Sequence, residues 1–284
     1  MNTILIKCSL LAGFVGLCGC ATQRHEKVTP APAAVPQVIT VYMVGDSTMA
    51  NKPLIPANPE RGWGQMLQAY FKDTVRVSNH ALNGRSSKSF IDEGKWQPVV
   101  DAIKPGDYVI IQFGHNDQPG KGPKRETQPF GTYKQNLERY VRETREKQGN
   151  PVLATSVVRR KFNADGRLDD THGDYILATR QVASEQNVTL LDLNKLSAEL
   201  VLKMGEEQSK RLFDWIPAGE FARYPKELKD DTHFNAFGAS RICDLAVEEM
   251  NRHVPALAQH LNQPQPQKQA AATPQSPNAL PLEK

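Results

Sequence analysis

From residue 38 to 261 the hydrophobic positions follow two alternating rhythms. Apolar, β-branched runs at 38–44, 74–78, 108–113, 152–158 and 188–193 predict strands. Between them, apolar side chains recur at helical spacing, which predicts helices over 63–72, 99–104, 132–147, 175–186, 194–204 and 236–253. In the last of these Ala239, Ile242, Cys243, Ala246, Val247 and Met250 fall on one stripe. Strand followed by helix, with short connections, requires parallel strands joined by right-handed crossovers. The expected fold class is α/β: a three-layer α/β/α arrangement around a five-stranded parallel sheet. No internal repeat interrupts the alternation.

The two ends follow neither rhythm. Residues 1–19 carry one charge, Lys7, ahead of the apolar run 8–17, which is too short to cross a bilayer and suits the core of an export signal. The run ends in Leu17-Cys18-Gly19-Cys20, which resembles a bacterial lipobox with small Gly19 before the acceptor, although Cys18 is unusual at its position. The expectation is a lipoprotein signal peptide over 1–19 and lipidation of Cys20, a membrane partner for an otherwise soluble domain; a plain secretory signal is the competing reading. Ala21 replaces the aspartate that often retains lipoproteins at an inner membrane, so an exported protein on the outer membrane, periplasmic or cell-surface side, is expected. Residues 20–37 are rich in Pro and Ala and read as a tether, and the Gln-, Pro- and Ala-rich residues 262–284 read as a disordered tail.

Charge and cysteine content narrow the picture further. The chain is 284 residues long with a net charge of +4; leader, tether and tail each hold +1, which leaves about +1 for residues 38–261. A nearly neutral domain gives no ground for a nucleic-acid partner. Three of the four cysteines lie in the first twenty residues, so Cys243 has no disulfide partner within the domain.

The candidate chemistry begins where the first strand ends, at Gly45-Asp46-Ser47, which delivers a hydroxyl into a turn. Ser47 is the candidate nucleophile. In an open α/β sheet, ligands bind beyond the carboxyl ends of the strands, where the strand order reverses. With the order 2-1-3-4-5, Gly84 after the second strand and Asn116 after the third flank Ser47. The backbone N–H groups of Ser47 and Gly84 and the amide of Asn116 would then converge on one developing oxyanion. His233 would act as general base and Asp230, three residues earlier in a loop, would hold its other nitrogen. Asp46 and Asp117 read as turn formers, and His80, His115 and His172 as structural or substrate-positioning groups. No Cys/His cluster has metal-ligand spacing, so no metal is expected, and neither G-x-S-x-G nor G-x-G-x-x-G occurs, so no cofactor is expected either.

Gly45-Asp46-Ser47, Gly84, Gly114-His115-Asn116-Asp117 and Asp230-Asp231-Thr232-His233 resemble the four sequence blocks of the SGNH (GDSL-type) hydrolases. Asn79-x-Ala81-x-x-Gly84-Arg85-Ser86, Phe113-Gly114-His115-Asn116-Asp117 and Thr232-His233-Phe234-Asn235 are most similar to the rhamnogalacturonan acetylesterases. The resemblance implies a flavodoxin-like fold, a metal-free serine-ester mechanism and an acetylated acidic plant cell-wall polysaccharide as partner. Arg159, Arg160 and Lys161 after the fourth strand, with Arg85 beside Gly84 and His115 beside Asn116, are the expected substrate-binding groups for such a glycan. Acetylated xylan is a neighbouring substrate class. One rival is a lipase, thioesterase or lysophospholipase whose acyl slot is built from residues 52–56 and 215–217. Another is a surface glycan-binding lipoprotein on a catalytically dead fold.

Overall fold

The computed structural model describes residues 38–55 and 57–262. The signal peptide, Cys20, the tether and the tail from residue 263 onward lie outside them. The elements run β1 (Ile39–Gly45), α1 (Trp63–Met66), β2 (Val75–Asn79), α2 (Ser87–Asp92), α3 (Gln97–Ala102), β3 (Tyr108–Gln112), α4 (Lys134–Glu146), β4 (Asn150–Ala154), α5 (Asp174–Glu185), β5 (Thr189–Leu191), α6 (Leu193–Ser209), β6 (Phe213–Ile216), β7 (Leu228–Phe234), α7 (Ala236–His253) and α8 (Pro255–Ala258).

Strands β1 to β5 form one parallel sheet in the order β2-β1-β3-β4-β5, the arrangement and order expected. Period-two alternation splits its side chains into two cores. Val41, Met43, Ile110 and Val152 face one way and pack with Ala239, Ile242, Cys243 and Met250 of α7 and Val201 of α6. Tyr42, Val44, Val109, Ile111 and Leu153 face the other way, against Val99 of α3, Leu137 and Tyr140 of α4 and Val182 of α5. Helices therefore cover both faces, which is why β1 and β3 have no exposed position.

Several boundaries differ from the sequence expectation for identifiable reasons. The strand expected over 152–158 ends at Ala154, because its neighbour β5 stops at Leu191: Thr155 N makes the last bond to it at 3.1 Å, and Val158 N donates instead to Ser197 Oγ at 2.9 Å. The helix expected over 63–72 is a short α1 that tightens into a 3₁₀ turn over Leu67–Tyr70. The helix expected over 194–204 extends to Ser209 across a kink at Gly205. Helix α2 was not expected; Ser86 and Ser89 cap it reciprocally. Nor was the antiparallel pair β6-β7, which stands apart from the main sheet and carries half of the site.

Candidate active site

Ser47 stands on a turn held by a chain of buried hydrogen bonds. Asp46 Oδ1 accepts from Thr48 N (2.9 Å) and Thr48 Oγ1 (2.8 Å), and Asp46 O accepts from Met49 N and Ala50 N. Thr48 Oγ1 accepts from Gln112 Nε2 at 2.7 Å, and Gln112 Oε1 accepts from Trp63 Nε1 at 2.9 Å. This buried chain links β1, β3 and α1 beneath one serine and leaves its hydroxyl no freedom to sink. Asp46 is thus the anchor of the nucleophile turn.

The candidate base, His233, arrives from a distortion in the β6-β7 pair. Ile216 pairs with Leu228 and Trp215 with Lys229, but Phe213 pairs with Phe234, so Asp230, Asp231, Thr232 and His233 together stand opposite Asp214 alone. Such a bulge bends the strand and re-aims its side chains. Asp230 Oδ1 accepts from Thr232 N (2.7 Å) and His233 N (2.9 Å), which closes the arch on itself. Asp230 Oδ2 lies 2.7 Å from His233 Nδ1, and His233 Nε2 lies 2.8 Å from Ser47 Oγ. Asp230 therefore sits in a bulged strand, where a loop was expected. Burial works against both charges. Even so, the Asp230 hydrogen bond and charge raise His233 above its ordinary pKa, and the His233 ring with the two backbone donors lowers Asp230.

Arg160 holds this arch from inside. Its Nη1 donates to Asp231 Oδ1 at 2.7 Å, its backbone N to Asp231 O at 2.8 Å, and its Nη2 to Glu206 O at 2.7 Å. The guanidinium lies 5.1 Å from the Trp215 ring centre, and Trp215 Nε1 donates to the same Asp231 Oδ1. Arg160 is 4% exposed and cannot meet a glycan, contrary to the expectation. Arg159 is only half buried, but it donates to Thr171 O and His115 O. Ile216 is buried and Trp215, partly buried, is held by its Nε1 bond to Asp231, so Ile216 does not line the acyl slot expected from residues 215–217.

The loop after β2 carries Gly84. His80 N donates to Met43 O and Leu82 N to Gly45 O, which runs the loop alongside the nucleophile turn. Gly84 has φ +74°, a conformation that glycine adopts without strain. Asn116 Nδ2 donates to Arg85 O at 3.1 Å, so one amide hydrogen fixes the side chain to the Gly84 loop and leaves the second N–H available. Lys52 Nζ bonds Asn83 Oδ1 and Glu60 Oε1, both at 2.6 Å, pinning the loop from its other side. Behind Asn116, Asp117 accepts from Ser87 N (3.0 Å), Ser87 Oγ (2.5 Å) and Thr127 Oγ1 (3.2 Å), which ties the start of α2 to the end of β3. Burial pushes its carboxyl up to about 7.

The remaining expected binding groups divide. His115 is buried, with Nδ1 3.3 Å from Asp46 Oδ2 and its ring edge-on to His172 at 4.5 Å between centres. It supports the turn from beneath, where no substrate reaches; burial lowers its pKa and lowers that of His172 further. Arg85 does reach the surface, though Glu93 occupies its guanidinium at 2.8 Å. Lys52 and Asp214 carry no signal in the sequence that marks them as neighbours of the site. Asp214 is 1% exposed, faces the arch, and is pushed up to about 7 by burial and by the charges of Glu60 and Asp230. Among the described residues, no three His, Cys, Asp or Glu side chains are grouped to hold a metal ion.

Comparison with known proteins places the chain in a family. The sequence pattern described as the GDSL-like lipase/acylhydrolase family matches residues 43–241. The chain is 40% identical over 223 residues to the rhamnogalacturonan acetylesterase RhgT of Bacillus subtilis, covering 78% of this chain and 94% of that protein. It is 29% identical to the rhamnogalacturonan acetylesterase of Emericella nidulans over 75% of this chain and 84% of that one. Among solved structures, YxiM of Bacillus subtilis superposes with a TM-score of 0.64 at 29% identity, over 75% of this chain and 56% of that one. The acetylxylan esterase Axe2 of Geobacillus stearothermophilus gives 0.55 at 19% identity over 75% and 96%, a likeness of fold. With the pattern matched over most of its folded part and a curated acetylesterase 40% identical along nearly that protein's whole length, the chain belongs to the GDSL-like lipase/acylhydrolase family and is a carboxylic ester hydrolase.

Proposed function

We propose that this esterase removes O-acetyl groups from rhamnogalacturonan through Ser47, His233 and Asp230. The observation that carries the reading is the unbroken line Ser47 Oγ to His233 Nε2 at 2.8 Å and His233 Nδ1 to Asp230 Oδ2 at 2.7 Å, in a chain similar to rhamnogalacturonan acetylesterases. His233 Nε2 takes the Ser47 proton as Oγ attacks the acetyl carbonyl carbon. The carbonyl oxygen becomes an oxyanion facing Ser47 N–H, Gly84 N–H and the free amide N–H of Asn116. Collapse breaks the bond to the sugar oxygen, which leaves with the proton from His233 and gives an acetyl-Ser47 ester. Water then attacks this ester, again giving its proton to His233, and acetate leaves as Ser47 recovers the proton.

Acetate release from acetylated rhamnogalacturonan, homogalacturonan and xylan tests the substrate; faster release from xylan would reassign it. Ser47→Ala should lower release on every substrate by about a millionfold, the scale of losing a nucleophile that works as one unit with its base. Persistent labelling of Ser47→Ala protein by an organophosphonate would mean that another serine reacts. A lipase-type reading retains one observation in its favour: Leu54 and Ile55, a few residues past Ser47, are 58% and 88% exposed. Chain-length preference on nitrophenyl esters separates the two, since an acetylesterase slows steeply beyond two or three carbons. The proposal extends to an exported protein anchored through lipidated Cys20, and loss of fatty-acid incorporation in Cys20→Ser is its test.

A further inference from the structure

The residues expected to hold an acidic sugar are committed elsewhere: Arg160 to the arch, Arg159 to two carbonyls, Arg85 to Glu93. Two other cations stand beside the Gly84 loop without an acidic partner among the described residues. The first is Arg125. Its Nη1 lies 3.9 Å from the point where a Cβ on Gly84 would stand, so the guanidinium hangs over the glycine whose N–H faces the ester oxygen. Its Nε donates to Lys121 O at 2.8 Å, which fixes the direction of the side chain while both terminal nitrogens stay open to an acceptor. The second is Lys95. It lines a cavity of about 320 Å³ together with Asn51, Asn83 and Arg85 over a floor that includes Ala81 and Leu82. That volume is at the lower end of small-ligand sites and suits one sugar-sized group. One wall is the Gly84 loop itself, and Asn51 comes four residues after the nucleophile.

We propose that Arg125, with Lys95 in the cavity on the Gly84 loop, forms a uronate-binding site that reads a galacturonate carboxylate of the acetylated glycan. The inference rests on the acidic-glycan reading above and deepens it. A planar guanidinium with two open nitrogens matches a carboxylate in a bidentate fork, and the flexible ammonium adds a point charge. A cation over Gly84 lies within about one sugar ring of the ester. Its charge is local, so selection for an acidic polymer needs no basic protein overall.

The test compares two substrates that differ only in this charge: acetylated rhamnogalacturonan oligosaccharide, and the same material with its carboxylates reduced to primary alcohols. At low salt the wild-type kcat/KM should favour the acidic form at least tenfold. Arg125→Ala and Lys95→Ala should each bring that ratio down severalfold, mainly through KM, and Arg125→Lys should keep part of it. Free galacturonate should inhibit the wild type competitively and the double variant more weakly. An acidic-to-reduced ratio unchanged in both variants would overturn the inference while leaving the substrate reading intact. Equal kcat losses of Arg125→Ala on both substrates and on nitrophenyl acetate would also overturn it, because the arginine would then be stabilising the oxyanion. Failure of the wild type to deacetylate rhamnogalacturonan while it works on xylan would instead remove the reading beneath it.

Discussion

His233 has to be neutral to take a proton, and it sits where burial and an anion pull its pKa in opposite directions, with the anion prevailing. The acid limb of kcat/KM should therefore lie above the roughly 6.5 of an unperturbed histidine. In Asp230→Asn the burial stays and the charge goes. The limb should move to lower pH while kcat drops by several orders of magnitude, because the ring is no longer held in its productive tautomer. Asp214, titrating at about 7 beside the same arch, is the other group to consider. A pH profile of Asp214→Asn should show a smaller displacement than Asp230→Asn; the reverse would make Asp214 the origin of the limb. Asn116 offers a complementary readout. Its amide has one hydrogen bound to Arg85 O and one to give, and the gift matters only as charge develops. Asn116→Ala should lower kcat about a hundredfold with little change in KM, and a change in KM alone would make it a substrate binder.

Elements, more than single residues, decide whether these groups meet. The arch on β7 exists because Arg160 supplies the bonds that a regular ladder would have supplied. Arg160→Ala should cost about 2–3 kcal/mol of stability, below the range for a fully buried pair because Asp231 is 40% exposed. Activity should fall on nitrophenyl acetate and on glycan alike, and a loss confined to glycan would return Arg160 to the substrate. At the other end of the site, α1 lies directly on the nucleophile turn: a Cβ on Gly62 would come within 2.2 Å of Ala50 O. Gly62→Ala should push helix and turn apart, lowering the melting temperature by several degrees and kcat with it. These two elements also mark how far the sequence could be read. The five parallel strands and the stripe of α7 were legible because burial on a sheet and on a helix leaves a regular period. The β6-β7 pair left none: its connection spans residues 217–227, and the four-residue bulge erases the alternation that marks a strand. Val157 and Val158 misled in the opposite direction, since a buried loop is as apolar as a buried strand. Arg160 was misplaced because a sequence displays charge and gives no sign of the direction in which the side chain turns. The block Asp230-x-x-His233 was visible all the same, its spacing being set by a local hydrogen-bonded turn.

Across the whole molecule the proposed reaction depends on groups from two sheets. The main sheet presents the nucleophile and the three oxyanion donors, while β7 presents the base and its carboxylate. They are joined by the Glu60–Asn235 bridge, by Arg61 N donating to Phe234 O and Arg160 N to Asp231 O, both at 2.8 Å, and by Phe213 and Phe234 packed into the core. Elements held by few backbone bonds open at lower free energy than a central sheet. On heating, ester turnover should disappear several degrees before the far-ultraviolet signal of the sheet and helices does. Coincident loss would show that the β6-β7 pair melts with the rest. The separation of Ser47 and His233 by 186 positions also orders events in time. A ribosome delivers the serine, the Gly84 loop and Asn116 long before it delivers the histidine, and domains take shape as the chain emerges. A chain that stops short of β7 lacks the proposed base and its carboxylate, and lacks α7, whose buried stripe covers one face of the sheet. On the proposed mechanism, hydrolysis is thus withheld until the stretch from β7 through α7 has docked on the main sheet.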